Sequence, residues 1–476
     1  MKKFALSLVA MGLALTQPVL ADDKAIVDGY FKELKAPAVN IAEHLWDWAE
    51  TGFHEEKSSE LMQQTLKDAG FTVQSGVAGM PTAFIASYGN TGPVIGILAE
   101  MDALPGLSQD AVPEHSPIEG KQAGHACGHH LFAGGSVTAA MAVKRWLEET
   151  GTPGQIRLYG TPAEEGGSGK VYMVREGLFK DVDTVFHWHA GPVNTADASS
   201  SLANKTAKFR FKGIAAHAAA MPERGRSALD AVEAMDYMVN MMREHVPSDT
   251  RIHYVITNGG QAPNVVPEFA EVYYYMRTPR AADLDELWTR LENTAKAAAL
   301  GTGTEASWEI VSGVWDILPN VTLAKVMHDS MSEFGGIQYS ADEQKFADEI
   351  RPTLGKQAQK MVGMEKMILP FSDEVKAGIA SSDVGDVSWN VPTAGVLTAT
   401  WVPGTAFHSW QAVASGGTSI GHKGMILAAE TIALSAIKLY EDPALIEKAK
   451  EEFGQRKGDV EYYPQLGDRS PALDLR

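Results

Sequence analysis

The feature that most constrains the fold of this 476-residue chain is an alternation of short apolar segments with longer amphipathic patterns. The apolar segments are rich in Val, Ile and Phe and have the length of β-strands; they lie at residues 82–87, 94–99, 155–160 and 184–188. Helical patterns separate them, for example at residues 58–69 and 134–149. Strands that alternate with helices form sheets whose strands run mainly parallel. The alternation therefore predicts an α/β domain with a mainly parallel central sheet.

A second pattern begins after residue 203. The stretch KTAKFRFKG alternates polar and apolar residues as a strand does; after it come a helical pattern, two strands, a helical pattern and a strand, at residues 227–244, 251–257, 270–276, 284–300 and 306–311. This β-α-β-β-α-β order is typical of a compact α+β sandwich. Because helical and loop patterns like those of the first part resume from residue 322, we predict an inserted domain at 204–318. The surrounding domain is then discontinuous, at 22–203 and 319–445, with a C-terminal tail at 446–476.

The first residues, 1–21, are predicted to be a cleaved secretory signal, because two lysines precede an apolar run that ends in Val-Leu-Ala. The run is too short to cross a bilayer, and we expect no later segment to be long and apolar enough to span one. We therefore expect an exported protein, periplasmic or secreted, with no membrane partner. The formal net charge of −19 repels phosphate backbones, so nucleic acid is not an expected partner either.

One short stretch concentrates reactive side chains. GHACGHH, at residues 124–130, holds three of the 14 histidines and the only cysteine. Cys127 has three alternative roles: a buried inert thiol, a nucleophile or a metal ligand. Cys127 and His129 flank a glycine, so on a bent loop both side chains can face one centre. Thiolate, imidazole and carboxylate are the usual ligands of zinc and of related divalent ions.

Three other segments with polar side chains follow predicted strands: LAEMD at 98–102, TPAEEGG at 161–167 and HWH at 187–189. In open α/β sheets, ligands collect beyond the carboxyl ends of the strands, so these segments and GHACGHH can converge on one crevice. Of the adjacent Glu164 and Glu165, one can hold a metal while the other takes the proton of an activated water. The alternative for this pair is a solvated helix start.

Six motifs in order resemble peptidase family M20, in particular its amidohydrolase branch with the p-aminobenzoyl-glutamate hydrolases: GHACGHH, TPAEEGG, HWHAGP, AAHAAAMPERGRSALDA, APNVVP with YYYMR, and GTAFHSW. The resemblance covers nearly the whole chain after the signal. It implies a zinc-peptidase-like catalytic domain and an inserted domain that acts in dimerisation or as a lid. It also implies cleavage of the amide bond of N-acyl or N-aroyl amino acids, p-aminobenzoyl-glutamate among them, or of dipeptides.

The same resemblance implies a site for two divalent metal ions per subunit, zinc or manganese. The implied ligands are Cys127, His129, Glu165, His189 and His408. Cys127 stands where other branches carry a bridging aspartate. Glu164 matches the general base, and Asp102 matches an acid that is expected to support a ligand from behind rather than bind the metal itself.

Three histidines near these motifs receive no ligand role. His187 is expected to be structural and His125 to support the ligands. His130 stands where relatives commonly have Asp or Asn, so we expect different hydrogen bonding there; service as a further ligand is the weaker alternative. The loop SSDVGDVS, at 381–388, resembles a loop of the same branch but receives no role.

For the inserted domain, the resemblance implies a homodimer interface. His217 matches a histidine that reaches the partner subunit's site and stabilises the oxyanion of the reaction. Asn264 and Arg277 match residues that contact the substrate. The planar guanidinium of an arginine can form two parallel hydrogen bonds with a carboxylate of the substrate. The alternatives for these two are a turn asparagine and a surface arginine. The aminobenzoyl-glutamate branch also pairs two related subunits, so a second subunit is a further expected partner.

Two other classes of protein remain as alternatives. In a thiol hydrolase, Cys127 would be the nucleophile and a histidine its base. In an exported metal- or ligand-binding protein without catalysis, Glu164 would have no task beside Glu165.

Overall fold

The computed structural model describes residues 22–196 and 198–474, so the predicted signal at 1–21 lies outside the described residues. The helices are α1 Asp23–Trp48, α2 Glu56–Asp68, α3 His129–Thr150, α4 Glu164–Gly167, α5 Gly169–Arg175, α6 Ala228–Met242, α7 Ala281–Thr302, α8 Val321–Phe334, α9 Ala341–Ile350, α10 Val384–Ser388, α11 Trp410–Gly416, α12 Ser419–Glu441 and α13 Pro443–Lys457. The strands are β1 Thr72–Ser75, β2 Phe84–Tyr88, β3 Val94–Glu100, β4 Leu104–Pro105, β5 Ala123–Gly124, β6 Gln155–Thr161, β7 Thr184–Gly191, β8 Ala203–Lys212, β9 Arg251–Asn258, β10 Phe269–Thr278, β11 Glu305–Val314 and β12 Thr393–Ala399.

Six strands form a central sheet in the order β1-β2-β6-β3-β7-β12. Strands β6, β3, β7 and β12 run parallel, whereas β1 and β2 pair antiparallel at one edge. Helices cover both faces, which explains why β3 is buried at every position. On one face, Ile95 and Ile97 pack with α1, α3 and α12; on the other, Val94 and Leu98 pack with α5 and α10. The predicted α/β class with a mainly parallel sheet is confirmed.

The parallel strands place their carboxyl ends at one edge of the sheet. Glu100, at the end of β3, is in register with Thr161 at the end of β6. His189 lies near the end of β7, opposite Leu397 of β12. The turns that follow these strands therefore meet beside the N-terminus of α3, where GHACGHH ends.

The segment between β7 and α8 builds its own sheet, with antiparallel strands in the order β11-β8-β10-β9. Its elements follow one another as β-α-β-β-α-β, the predicted order. Alternate residues of β10, such as Val272, Tyr274 and Met276, are buried in a separate core with Phe209 and Trp288. Every second residue is buried because one face of the strand packs against the helices of this segment. The sheet is therefore a structural unit distinct from the central one.

One expectation about membranes needs correction. Among the described residues, α12 is long and apolar enough, by length and composition, to cross a bilayer, whereas no such later segment was predicted. In the fold, 78% of its most apolar stretch is buried inside the protein. It packs with α1 and α3, for example through Leu427 and Ile432. A helix buried in this way is a core helix. Its hydrophobic periodicity alone does not distinguish it from a membrane-spanning helix.

The predicted C-terminal tail contains most of α13 and then packs across the molecule. Tyr463 donates a hydrogen bond to Asp285 of α7. Arg469 forms an ion pair with Glu309 of β11 at 2.8 Å, and its carbonyl accepts a hydrogen bond from Arg175 of α5 at 2.7 Å. The tail therefore ties the inserted sheet to the central one.

Candidate metal centre

The backbone at Gly128 explains how Cys127 and His129 come to face the same space. Gly128 has φ +86°, and a Cβ there would lie 2.5 Å from the Cβ of Ala190. Both the left-handed backbone and the close approach require glycine. Helix α3 begins directly afterwards, at His129. The glycine thus allows a sharp bend between the loop and the helix, as the sequence suggested.

Five of the predicted site residues come together in two groups. Potential ligand atoms of Cys127, His129 and His189 all lie within 4.8 Å of one another, and so do those of Cys127, Glu165 and His408. The Sγ atom of Cys127 is 3.4 Å from His189 Nε2, and His408 Nε2 is 3.1 Å from Glu165 Oε1. Cys127 belongs to both groups, so its sulfur lies where two ions would share it.

The donor set fits two divalent cations. His129 Nε2 and Glu165 Oε1 are buried and have no hydrogen-bond partner among the described residues. Such atoms are costly in a folded protein unless something satisfies them. On the far side of the ring, His129 Nδ1 lies 3.0 Å from Asp102 Oδ1, which leaves Nε2 available to a metal. Thiolate, imidazole and carboxylate together suit zinc and similar ions.

Asp102 is the carboxylate that organises this region. Besides contacting His129, it accepts the backbone N–H groups of Glu164 at 3.2 Å and Glu165 at 2.9 Å. Burial alone would raise the pKa of Asp102, but the neighbouring His129 lowers it to about 2. An ionised Asp102 therefore holds the ring of one candidate ligand and the backbone of the adjacent glutamate pair, in the supporting position that we predicted.

The glutamate pair lies on a tightly constrained turn after β6. Ala163, with φ 55°, precedes it, and its N–H donates to Glu55 Oε1 at 2.8 Å. Glu55 also accepts the Thr82 hydroxyl at 2.9 Å, and burial raises its pKa to about 8. A left-handed alanine is a strained conformation that the surrounding structure has to enforce. The turn is thus held from both sides, by Glu55 and by Asp102.

Glu164 and Glu165 diverge, as adjacent side chains on such a turn do. Glu165 belongs to the group with His408, whereas Glu164 belongs to a third group with Glu100 and His129. Within each group, the potential ligand atoms lie within 4.8 Å of one another. Loss of hydration raises the pKa of Glu164 well above its usual range, and the carboxylates of Glu100 and Glu165 raise it further. A carboxyl group with a raised pKa is suited to taking up a proton and giving it back.

His408 comes from a distant part of the chain. Its backbone is left-handed, with φ 54°, and its N–H donates to the carbonyl of Ala126 at 3.2 Å. The side chain is 50% exposed, so this part of the site opens to solvent. The neighbouring Phe407 ring lies 5.6 Å from the His189 ring and is itself 46% exposed. The His408 side is therefore an accessible side of the site.

The histidines without a predicted ligand role lie outside both groups. His130 Nε2 lies 3.1 Å from the carbonyl oxygen of Gly416, and burial lowers the pKa of His130 well below its usual range. His125 Nε2 lies 3.0 Å from the carbonyl oxygen of Leu45. Burial lowers the pKa of His187 to about 4. The rings of His130 and His125 contact backbone carbonyls and are structural, so the departure at His130 alters packing beneath the site.

Among the described residues, His217 is in none of the ligand groups, and Asn264 and Arg277 lie with it on the inserted segment. His217 is exposed on a loop of the inserted segment, and its Nδ1 accepts the N–H groups of Ala219 and Ala220, each at 3.2 Å. The exposed Asn264 accepts the N–H of Ala218 through its carbonyl. Arg277 lies at the end of β10, 5.8 Å from the ring of Tyr275.

Two groups near the centre received no role from sequence reasoning. Glu55 precedes α2, and nothing in its local pattern indicates contact with residue 163. Lys170 lies on α5 and is fully buried, in contact with Glu100 and Asp383. A lysine inside the apolar pattern GKVYMVR was the one available signal, because buried lysines occur almost only with charged partners.

Comparisons with known proteins find relatives of this chain. The sequence profile of peptidase family M20/M25/M40 matches residues 96–354. The chain is 42% identical over 444 residues to one of the subunits of p-aminobenzoyl-glutamate hydrolase from Escherichia coli, covering 87% of this chain and 92% of that protein. It is 30% identical to the Xaa-Arg dipeptidase of Mus musculus, covering 79% of this chain and 78% of that protein.

Solved structures share the fold. A dinuclear metal-binding peptidase of the M20 family from Bacillus subtilis has a TM-score of 0.59 at 16% identity, covering 86% of this chain and 99% of that one. An aminobenzoyl-glutamate utilization protein from Klebsiella pneumoniae also has a TM-score of 0.59 at 16% identity, covering 87% and 99%.

Proposed function

Because this chain belongs to peptidase family M20/M25/M40, we propose that it is a metal-dependent amidohydrolase whose site is the cluster around Cys127. The observation that carries the proposal is the pair of ligand groups that share one sulfur, with a separate carboxylate, Glu164, beside them. A protein that only binds metal has no need of a base at that position.

The substrate that we propose is an N-acyl or N-aroyl amino acid, p-aminobenzoyl-glutamate among them, or a dipeptide. The support comes from relatives: a p-aminobenzoyl-glutamate hydrolase, an Xaa-Arg dipeptidase and an indole-3-acetyl-aspartic acid hydrolase. In each name, the bond cut joins an acyl group to an amino acid. Release of a free amino acid from such a conjugate is therefore the reaction to measure.

The residues divide the work between metal binding and proton transfer. Cys127, His129, Glu165, His189 and His408 would hold two divalent ions, zinc or manganese, and His129 is oriented by Asp102. Two ions bound there supply Lewis-acid polarisation of the scissile carbonyl and lower the pKa of water. Glu164 takes the proton of the attacking water and passes it to the departing amine, a task that its raised pKa suits.

Two features of the inserted segment support a homodimer. Strand β9 is an edge strand, and its Val255 and Ile256 are 65% and 41% exposed. On α6, Tyr237 and Met241 are 67% and 49% exposed, and Arg243 next to them bonds the carbonyl of Ile252 in β9. Unpaired strand edges and apolar surface of this kind are usually covered by a partner. We propose that a second copy of the chain covers them.

His217 is suited to act in the partner's site. Its Nδ1 accepts two backbone N–H groups, so in the neutral ring the proton is on Nε2. An N–H at that position can donate to a developing oxyanion. Asn264 and Arg277 are the residues proposed to contact the substrate, the arginine through a carboxylate.

Action in trans makes a specific prediction for mixed dimers. The His217→Ala and Glu164→Gln variants should each be inactive, whereas co-refolded or co-expressed mixtures should regain about a quarter of wild-type activity, because half of the dimers then contain one complete site. The measurement is the hydrolysis rate after subunit exchange, with a mixture of His217→Ala and wild type for comparison. Mixtures that stay inactive although native mass spectrometry shows heterodimers would rule out a contribution from the partner.

The proposed reaction is tested on metal-free protein reloaded with Zn²⁺ or Mn²⁺. We expect release of free amino acid from at least one conjugate in a panel that contains p-aminobenzoyl-glutamate, hippurate, acyl-aspartates and dipeptides. Activity should be absent without metal and should return on reloading, because the ions polarise the carbonyl. Adding a related second subunit to inactive protein tests whether this chain works alone.

The alternatives make different predictions in the same assay. A thiol hydrolase keeps its activity after chelation and loses it on alkylation of Cys127, but burial raises the pKa of that thiol well above its usual range, which disfavours a free nucleophile. A binding protein releases no product from any conjugate. We also propose export through residues 1–21, which N-terminal sequencing of the periplasmic or secreted protein would test.

A further inference from the structure

Three charged side chains are buried beside the metal centre without a part in the reaction proposed above. The ammonium group of Lys170 lies 2.6 Å from Glu100 Oε1 and 2.6 Å from Asp383 Oδ1. Lys170 and Asp383 have 0% side-chain exposure, and Glu100 has 7%. Asp383 Oδ2 also accepts the backbone N–H of Lys170 at 2.9 Å. The lysine is thus fixed between the end of β3 and the 381–388 loop.

The second oxygen of Glu100 faces the metal centre. Glu100 Oε2 lies 3.2 Å from His129 Nε2, yet that nitrogen has no hydrogen-bond partner among the described residues, so the two atoms are not aligned as donor and acceptor. The other ring nitrogen is engaged with Asp102. Two ligand atoms on one ion, with bonds of about 2.0–2.2 Å, lie about 3 Å apart. Glu100 Oε2 and His129 Nε2 therefore have the spacing of two neighbouring ligands.

Lys170 compensates the charge of Glu100 beside the metal centre. The ligand atom of Glu100 lies within 4.8 Å of those of His129 and Glu164, and His129 also belongs to the group with Cys127 and His189. A carboxylate in so buried a place needs a compensating cation, which Lys170 provides. The ammonium contacts Oε1, which leaves Oε2 for the ion. Asp383 contacts the same ammonium and anchors it.

We propose that Glu100 is a further ligand of the ion held by Cys127, His129 and His189, and that Lys170, anchored by Asp383, is the positioning residue that holds Glu100 in place. The inference rests on the metal site of the proposed function and adds a carboxylate to it. It gives the 381–388 loop a task, because that loop supplies the anchor. A purely structural role for the ion pair would join the loop to β3 without affecting the metal.

The decisive variant is Glu100→Gln in the full chain, stripped of metal and titrated with Co²⁺. The Lys170 ammonium needs an oxygen acceptor, so it takes the amide oxygen and turns the amide nitrogen, which is not a metal ligand, toward the ion. We expect one of the two Co²⁺ ions to bind at least about 10-fold more weakly, while the other is unchanged. The visible Co²⁺ bands should also become more intense, since fewer ligands remain. Chelator competition and absorption spectroscopy measure the two effects.

Two other variants separate positioning from stability. If the Lys170→Met variant folds, it should bind the same Co²⁺ ion more weakly and show the same change in the absorption bands. If it does not fold, Glu100→Gln, which keeps the ammonium and both of its acceptors, decides between the two roles. Asp386→Asn is the matched control. Asp386 is a buried acid of α10, three residues after Asp383, and its carboxylate accepts hydrogen bonds from Trp315 and Tyr462 instead of from Lys170. It should lower the melting temperature and leave Co²⁺ binding unchanged.

The outcomes are distinguishable. A folded Glu100→Gln protein with wild-type affinity for both ions and unchanged bands would overturn the assignment of Glu100 and leave the amidohydrolase intact. A wild-type chain that binds no Co²⁺ would overturn the metal site itself, and with it the proposed function.

Discussion

Replacing Glu164 with glutamine should lower the hydrolysis rate by about 10²–10⁴-fold while both metal ions remain bound. The side chain stays close to its original shape but can no longer take a proton from water or deliver one to the leaving amine. Its raised pKa comes from burial and from the neighbouring Glu100 and Glu165, so the amide also removes a source of repulsion and should not unfold the turn. The measurements are kcat on the best conjugate of the panel and metal content after dialysis.

The adjacent residue provides the control for this prediction. Glu165→Gln changes the same kind of group one position along the chain, but Glu165 lies with Cys127 and His408. We expect this variant to lose an ion, and excess metal should restore part of its activity. No excess of metal should restore Glu164→Gln. Hydrolysis by metal-loaded Glu164→Gln at the wild-type rate would remove Glu164 from the role of base.

The largest effect on metal binding is expected from Cys127→Ser. Both ligand groups contain the Cys127 sulfur, so one substitution removes a ligand from both ions. A serine hydroxyl stays protonated at neutral pH and is a poor ligand, whereas a thiol is deprotonated on binding metal. We expect affinity for both ions to fall by more than about 100-fold, with loss of activity. Metal analysis after dialysis against a weak chelator, with the melting temperature recorded in parallel, checks this.

Cys127→Asp separates ligation from nucleophilic catalysis. A carboxylate has two oxygens that can be shared by two ions, so the aspartate variant should retain more metal and more activity than the serine variant. If Cys127 were a nucleophile, the two variants would be equally inactive whatever their metal content. Retention of both ions by Cys127→Ser would show that the sulfur is not shared between them.

Much of the candidate site follows from local sequence. Cys127 and His129 were recognised because their spacing around Gly128 lets both face one centre, and the left-handed backbone of Gly128 agrees with that reason. Glu164, Glu165 and His189 were placed by the rule that polar residues after parallel strands meet at one edge. His408 is different: no local pattern links it to the others, and only its match to a family motif brought it into the set.

The contacts of Glu100, Lys170 and Asp383 were beyond the reach of such reasoning. Lys170 and Asp383 are separated by 213 residues, and although a lysine in an apolar helix indicates a charged partner, nothing local identifies Asp383 as that partner. Their pairing depends on how α5 and α10 pack on one face of the sheet. The length and composition of α12 are visible in the sequence, but its burial is not, since whether an apolar helix is covered by protein depends on the rest of the fold.

The sequence by itself determined the class of the sheet, the order of elements in the inserted segment and the chemical types gathered at the strand ends, because periodicity and spacing are local properties of the chain. The resemblance to the family already implied that Cys127 is shared and that Asp102 supports a ligand. The tertiary structure alone decided the distances within the two ligand groups, and that a buried lysine paired with Asp383 contacts Glu100 beside the same centre. Those relations depend on distances between side chains far apart in the sequence, which only the packing of the helices and strands sets.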